Sequence, residues 1–229
     1  MGVSLRRWLE PSGGPLNSAK DRDTWLGTDP LPNEPITTVD RWLREAFDDG
    51  RQSNPHAVAL ATIDEDGRPS VRMVLCTSID RESGAFTIYT NRESRKGRAL
   101  ANDPRAAIVF HWPGRQARIE GRVIWSPDEE SDAYFASRPL EARLAIWASD
   151  QSAPTDSRKD LVRALEQTRA RFSADGEDAA IPRPPQWGGI KLIAESVELW
   201  GDRADRIHDR VVWSRTTADA PWATTRLQP

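Results

Sequence analysis

The sequence predicts a mainly β, α+β fold: an antiparallel barrel or sandwich with helices at its periphery. Three observations predict it. Short β-compatible segments follow one another along the chain. Turn signals such as Asp64-Glu65-Asp66-Gly67, Asp80-Arg81-Glu82-Ser83-Gly84 and Pro113-Gly114 join them through loops too short for crossovers. The 229 residues (25.7 kDa) are enough for a sizeable core.

Residues 1 to 35 hold Pro11, Gly13, Gly14, Pro15, Pro30, Pro32 and Pro35 with few periodic apolar positions, so they read as a flexible arm. Trp8 and Trp25 give that arm two side chains able to dock. Residues 36 to 229 then form one domain. A helix is expected over 37 to 48, where Val39, Trp42, Leu43 and Ala46 share a face. Strands are expected over 56 to 63 and 70 to 79 as a hairpin, then over 85 to 90. A short helix over 94 to 102 is stopped by Pro104, and strands over 106 to 112 and 116 to 125 follow. Ser126-Pro127-Asp128-Glu129 has the form of a capping box and opens a helix that ends near Arg138-Pro139. Helices over 140 to 148 and 156 to 172 come next, the second with Leu161, Leu165 and Thr168 toward the core. Three strands are expected over 189 to 194, 197 to 200 and 206 to 215, and a last one over 222 to 227.

Composition excludes several classes. The net charge is −3, from 32 basic and 35 acidic residues, and a nucleic-acid binder needs a basic excess. The longest apolar runs, such as Ala57 to Ile63, fall well short of a membrane span. Met1-Gly2-Val3-Ser4-Leu5-Arg6-Arg7 has no apolar signal region, and the expected location is cytoplasmic. Cys76 is the only cysteine and reads as a small buried hydrophobe, which leaves no disulfide framework. His56, His111 and His208 are scattered, so no metal site is expected. Neither a Gly-x-Gly-x-x-Gly fingerprint nor a P-loop is present.

Three clusters carry chemistry. Arg72-Met73-Val74-Leu75-Cys76-Thr77, then Tyr89-Thr90, then Ser94-Arg95-Lys96 would set hydroxyls and cations around a helix start, a cradle for a phosphate monoester. Tyr134-Phe135-Ala136-Ser137-Arg138-Pro139 with Trp147-Ala148-Ser149-Asp150-Gln151-Ser152 is the second. The third is Trp200 with Arg206-Ile207-His208-Asp209-Arg210. On a strand, positions 206, 208 and 210 would share a face suited to an anionic, electron-rich ring.

Together these clusters, Trp187-Gly188-Gly189 and the ending Arg226-Leu227-Gln228-Pro229 resemble the pyridoxamine 5′-phosphate oxidase family, the FMN split-barrel flavoenzymes, over about residues 37 to 229. The resemblance implies an antiparallel split β-barrel and a homodimer with two FMN molecules at the subunit interface. By the same resemblance Arg72, Thr90, Arg95 and Lys96 hold the FMN phosphate and ribityl groups. Met73, Val74, Leu75 and Tyr89 fall within the same cofactor motifs. Gln116, Gln151, Ser152, Trp200 and Arg210 resemble flavin contacts.

The substrate side matches less completely. Family members that oxidise pyridoxine phosphate clamp its phosphate with Lys, Tyr, Arg and Ser. Tyr134 and Arg138 keep two of these, while Thr77 stands at the lysine position and Ala142 at the serine position. Arg206 and His208, which flank the substrate ring in the family, are present and are the expected catalytic pair. The family's phenazine-biosynthesis oxidases also lack that lysine. The resemblance therefore implies an oxidase that passes hydride from a reduced heteroaromatic substrate of phenazine-precursor type to FMN and then to dioxygen, releasing hydrogen peroxide. The alternatives are a pyridoxine/pyridoxamine 5′-phosphate oxidase with an altered clamp, and a flavin- or pyridoxal phosphate-binding module without turnover.

Overall fold

A computed structural model describes residues 26–27, 30–173 and 181–229. Trp8, Trp25 and most of the expected arm lie outside these residues. The elements run α1 (Ile36–Asp49), β1 (Ala57–Ile63), β2 (Pro69–Asp80), β3 (Ala85–Asn91), α2 (Arg95–Asn102), β4 (Arg105–Trp112) and β5 (Arg115–Trp125). They continue with α3 (Asp128–Ala136), α4 (Leu140–Trp147), α5 (Arg158–Ser173), β6 (Trp187–Gly201), β7 (Asp209–Ser214) and β8 (Ala223–Leu227).

The strands pair in the order β3-β2-β1-β4-β5-β6-β7-β8, every pairing antiparallel. β3 also pairs with β6, from Ala85↔Ile193 to Asn91↔Trp187, which closes the first six strands into a barrel. Of the two architectures open to the sequence, the chain is the barrel. Closure removes the sheet edges that an open sheet would expose.

β6 is one strand, where the sequence suggests two. Its first half closes the barrel against β3. Its second half leaves the barrel and carries β7, from Ser196↔Ser214 to Gly201↔Asp209. β5 follows it throughout, with a register shift between Glu120 and Gly121 that absorbs the bend. The polar Glu195-Ser196 pair resembles a break because it lies where β6 changes partner.

The barrel interior holds Val58, Leu60, Phe86, Ile88, Ile108, Phe110, Ile119 and Leu192, all fully buried or nearly so. α1 adds Ile36, Val39, Trp42, Leu43 and Ala46 to the same core, as its periodicity predicts. Gly50, at φ +65, ends α1 in a left-handed turn that residues with a Cβ rarely adopt. Leu26 is buried, its carbonyl accepts from Arg226 (2.6 Å), and the Pro32 carbonyl accepts from Trp213 (2.8 Å). The described part of the expected arm is thus docked on β7 and β8.

Two local expectations do not hold. Pro127, not Ser126, occupies the N-cap of α3, and no side-chain cap bond forms. Ser126 is buried on the barrel side, where its backbone N–H donates to the Gly189 carbonyl (2.9 Å). α5 buries no residue, and Leu161 is exposed, while Leu165 only leans on a small satellite cluster around Phe135, Leu144 and Trp187. No described helix is long and apolar enough to cross a membrane.

Candidate active site

Of the first cluster, the structure brings Arg72, Thr90, Ser94 and Lys96 together, with Arg95 beside them. Arg72 lies opposite Leu60 in the β1–β2 ladder. Its guanidinium donates to the Leu60 carbonyl (3.0 Å), Thr62 Oγ1 (2.9 Å) and Ser70 Oγ (2.8 Å). Ser94 caps α2 by accepting from the Gly97 N–H (3.3 Å). The cap fixes the first turn, which carries Arg95 and Lys96. Arg95 pairs with Asp64, its Nε 2.9 Å from Oδ2. Lys96 is buried, and its Nζ donates to Ser94 Oγ (3.0 Å) and Gln151 Oε1 (2.6 Å). Thr90 Oγ1 donates to the same Gln151 oxygen (3.3 Å). Gln151 arrives from a loop 55 residues beyond Lys96, so only the fold brings the two together.

The electrostatics are those of an anion site. Burial, then repulsion by Arg72, pulls the Lys96 ammonium down from 10.5 to about 8. Burial also lowers Arg72, with Asp64 opposing that shift and Arg95 adding to it. Lys96 has only neutral oxygens as hydrogen-bond partners among the described residues. A phosphate there would meet two cations, the Thr90 hydroxyl and the amide end of an eight-residue helix. The residues present therefore fit the phosphate of FMN.

The other residues of that first motif divide by strand alternation. Val74 packs on the core, whereas Val71, Met73 and Leu75 face outward as an exposed apolar stripe. Cys76 is fully buried, and desolvation pushes its thiol up to about 12, which leaves it no nucleophilic role near neutral pH.

Gln116, Trp200 and Arg210 form a second cluster. They occupy one cross-strand row, Gln116↔Trp200↔Arg210, over β5, β6 and β7. The buried Glu198 carboxylate holds Arg210 (Nε 2.9 Å) and Arg118 (2.6 Å). His208 lies against the Trp200 ring at 4.9 Å. Its Nδ1 accepts from the Arg203 N–H (3.2 Å) and lies 3.1 Å from Asp202 Oδ1.

Here the sequence expectation fails in detail. β7 begins at Asp209, so Arg206 and His208 stand in the preceding loop and not on a shared strand face. The loop is needed because Gly201, the last residue of β6, pairs directly with Asp209. Arg206 is exposed, with φ +67, and Ser152 has φ +77. These are the two non-glycine residues with positive φ among those described, and both are expected site residues.

A cavity of about 490 Å³ lies between β2, β3 and α3, lined by Thr77, Tyr89, Glu130, Tyr134, Ser137 and Lys191 among others. The Tyr89 and Tyr134 rings stack at 3.8 Å and 12°. Arg138 reaches the Tyr134 hydroxyl (3.4 Å). Thr77 donates to the Thr87 carbonyl (3.2 Å). Ala142 sits in the first turn of α4, outside the lining of this cavity. Lys191, on β6, is a cavity residue that sequence reasoning missed. The signal was a lone cation inside an apolar strand, Gly189-Ile190-Lys191-Leu192-Ile193.

Comparison with known proteins agrees with this layout. A family model described as pyridoxamine 5′-phosphate oxidase matches residues 43–173. A second, described as the pyridoxine 5′-phosphate oxidase C-terminal dimerisation region, matches residues 187–229. A pyridoxine/pyridoxamine 5′-phosphate oxidase of Burkholderia mallei is 47% identical over 217 residues, spanning 93% of this chain and 97% of its own length. One of Burkholderia lata is 45% identical over 202 residues, 87% and 91% of the two chains. The crystal structure of PhzG from Burkholderia lata 383, in complex with tetrahydrophenazine-1-carboxylic acid, superposes with a TM-score of 0.78 at 33% identity. It covers 96% of this chain and 100% of that one. Matches that reach from the β1–β5 barrel through the strands that follow it leave one assignment: the chain belongs to the pyridoxamine 5′-phosphate oxidase family, with its flavin-binding, oxidase-type fold.

Proposed function

We propose that this chain is an FMN-dependent oxidase acting on a reduced heteroaromatic substrate of phenazine-precursor type. The observation that carries the reading is Lys96, buried near Arg72 and, among the described residues, hydrogen-bonded only to neutral oxygens. A flavin phosphate is the anion that this environment calls for.

The flavin site takes its two halves from two copies of the chain. Tyr89 pairs with Gly189 on β6, whereas Trp200 lies eleven residues further along the same strand. That is about 36 Å of extended chain. A homodimer that faces the phosphate cradle of one copy toward Gln116, Trp200 and Arg210 of the other joins the halves. The exposed stripe of Val71, Met73 and Leu75 supplies apolar surface for such a contact.

Bound FMN supplies hydride acceptance, with dioxygen as the final acceptor and hydrogen peroxide as the product. The chain's own groups orient the partners. Gln116, Gln151 and Ser152 offer polar contacts to the flavin ring. Arg206 and His208 position the substrate ring. His208, held between the Trp200 ring, the Arg203 N–H and Asp202, is the group that would exchange a proton with substrate.

Thr77, which lines the cavity where other family members place a lysine, supports a larger, non-phosphorylated ring. So does the ligand in the PhzG structure. The relatives at 45–47% identity favour a second reading, oxidation of pyridoxine or pyridoxamine 5′-phosphate. Peroxide release separates the two. Turnover of a dihydrophenazine carboxylate but not of pyridoxine 5′-phosphate supports the first reading, and the converse supports the second. A purified protein that is colourless, takes up no FMN and oxidises neither compound overturns both.

A further inference from the structure

The cation missing at position 77 has a counterpart elsewhere in the fold. Lys191 pairs with Thr87 across β6 and β3, and Thr77 is hydrogen-bonded to that same Thr87. Lys191 and Thr77 therefore reach one cavity from opposite sides of β3. The Lys191 side chain is three-quarters buried. Its Nζ lies 2.8 and 2.7 Å from the two oxygens of Glu130. Asp80, the other acid in the cavity wall, is engaged by the Ser83 hydroxyl (2.7 Å) and the Glu82 N–H (3.0 Å), so Glu130 is the direct counter-ion.

On the far side of the cavity Tyr134 presents its ring and hydroxyl. Arg138 donates to that hydroxyl, while its buried Nε has no hydrogen-bond partner among the described residues. The Lys191 ammonium lines this aromatic-walled space directly, whereas Arg138 lies outside its lining and meets it through the Tyr134 hydroxyl. Neither α3 nor β6 requires an ion pair for its own hydrogen bonding.

Resting on the oxidase reading above, we propose that Lys191 is the anion anchor of the substrate pocket. It binds the carboxylate or phosphate of the incoming ring together with the Tyr134 hydroxyl, which Arg138 holds in place, and Glu130 neutralises it when no substrate is present. The anion exchanges with Glu130 at the ammonium, which lets a chain with threonine at position 77 still select acidic substrates. Lys191 is then a specificity residue that position-by-position comparison of the clamp does not reveal.

The test uses the FMN-loaded protein and two probe pairs that differ only in charge: pyridoxal 5′-phosphate against pyridoxal, and phenazine-1-carboxylate against phenazine. Binding is read by flavin and tryptophan fluorescence. Lys191→Met keeps the apolar stem and removes the charge. It is expected to weaken the charged member of the bound pair by about tenfold or more and the neutral member less than about twofold. Lys191→Arg should restore the preference, and Glu130→Gln should tighten the charged probe. If Lys191→Met weakens both members equally at unchanged FMN content and melting temperature, Lys191 is only a tether between α3 and β6, and the proposal is overturned. If the wild type binds no member of either pair, the oxidase reading fails first and takes this role with it.

Discussion

Lys96 is the buried side chain at which stability and the proposed cofactor binding meet. Its ammonium is lowered from 10.5 to about 8 by burial and by Arg72. Below pH 8 it is charged in both folded and unfolded chains, and the folded protein bears the full cost of burying it. Between pH 8 and 10.5 only the unfolded chain keeps the proton, so that cost fades as pH rises. Lys96→Met should therefore raise the melting temperature of the flavin-free protein at pH 7 while weakening FMN at least tenfold, both measurable on one preparation. FMN affinity of the wild type should fall as pH rises past 8, and a flat titration between pH 7 and 9.5 would contradict the assignment. Thr77→Lys should raise affinity for pyridoxal 5′-phosphate, and unchanged affinity would show that position 77 does not face the substrate anion. That Arg72, Thr90 and Lys96 come together was legible from motifs, because hydroxyls and cations at strand ends and a helix start point to an anion cradle. Gln151 as the bridge between Thr90 and Lys96, and Lys191 in the cavity, were not. Their roles depend on contacts between residues distant in sequence.

At the scale of elements, the start of α2 positions the cradle. A Cβ on Gly97 would lie 2.1 Å from the Arg92 carbonyl oxygen, so the helix packs where only glycine fits. Gly97→Ala should cost about 1–3 kcal/mol and loosen FMN as Lys96 shifts, read by urea unfolding and flavin titration together. Ser94→Ala should cost about 1 kcal/mol by removing the cap. Most strands and α1 were legible because hydrophobic period and turn residues agree over short distances. β6 was not, since a strand that changes partner midway looks like two. The helix start at Ser126 misled for a related reason. A Cβ on Gly189 would meet Ser126 Oγ at 2.5 Å, so the serine is drawn into β6 packing and away from capping. The loop before β7 was hidden because Arg206, His208 and Arg210 alternate as a strand would, yet Gly201 and Asp209 pair directly around Arg206 and His208 and leave only Arg210 on the strand.

At the scale of the whole molecule, the barrel is closed, but the proposed chemistry is divided. The proposed phosphate cradle draws on β2, β3 and α2, and the residues proposed to meet the ring sit on the β5–β6–β7 extension beyond the barrel. Assembly and flavin uptake are therefore expected to be one event. Met73→Asp, placed in the exposed apolar stripe, should yield a monomer without flavin, seen by light scattering and absorbance. Complementation between two broken chains asks whether one flavin is held by two copies. Lys96→Met disables the cradle, and Trp200→Ala with Arg210→Ala disables the ring contacts, so neither variant alone should retain FMN. Coexpressed at equal levels, they should form mixed dimers with one intact site each, restoring FMN to roughly a quarter of all sites. Mixed dimers that remain colourless, or a Trp200→Ala/Arg210→Ala chain that holds FMN by itself, would contradict a flavin shared between two copies.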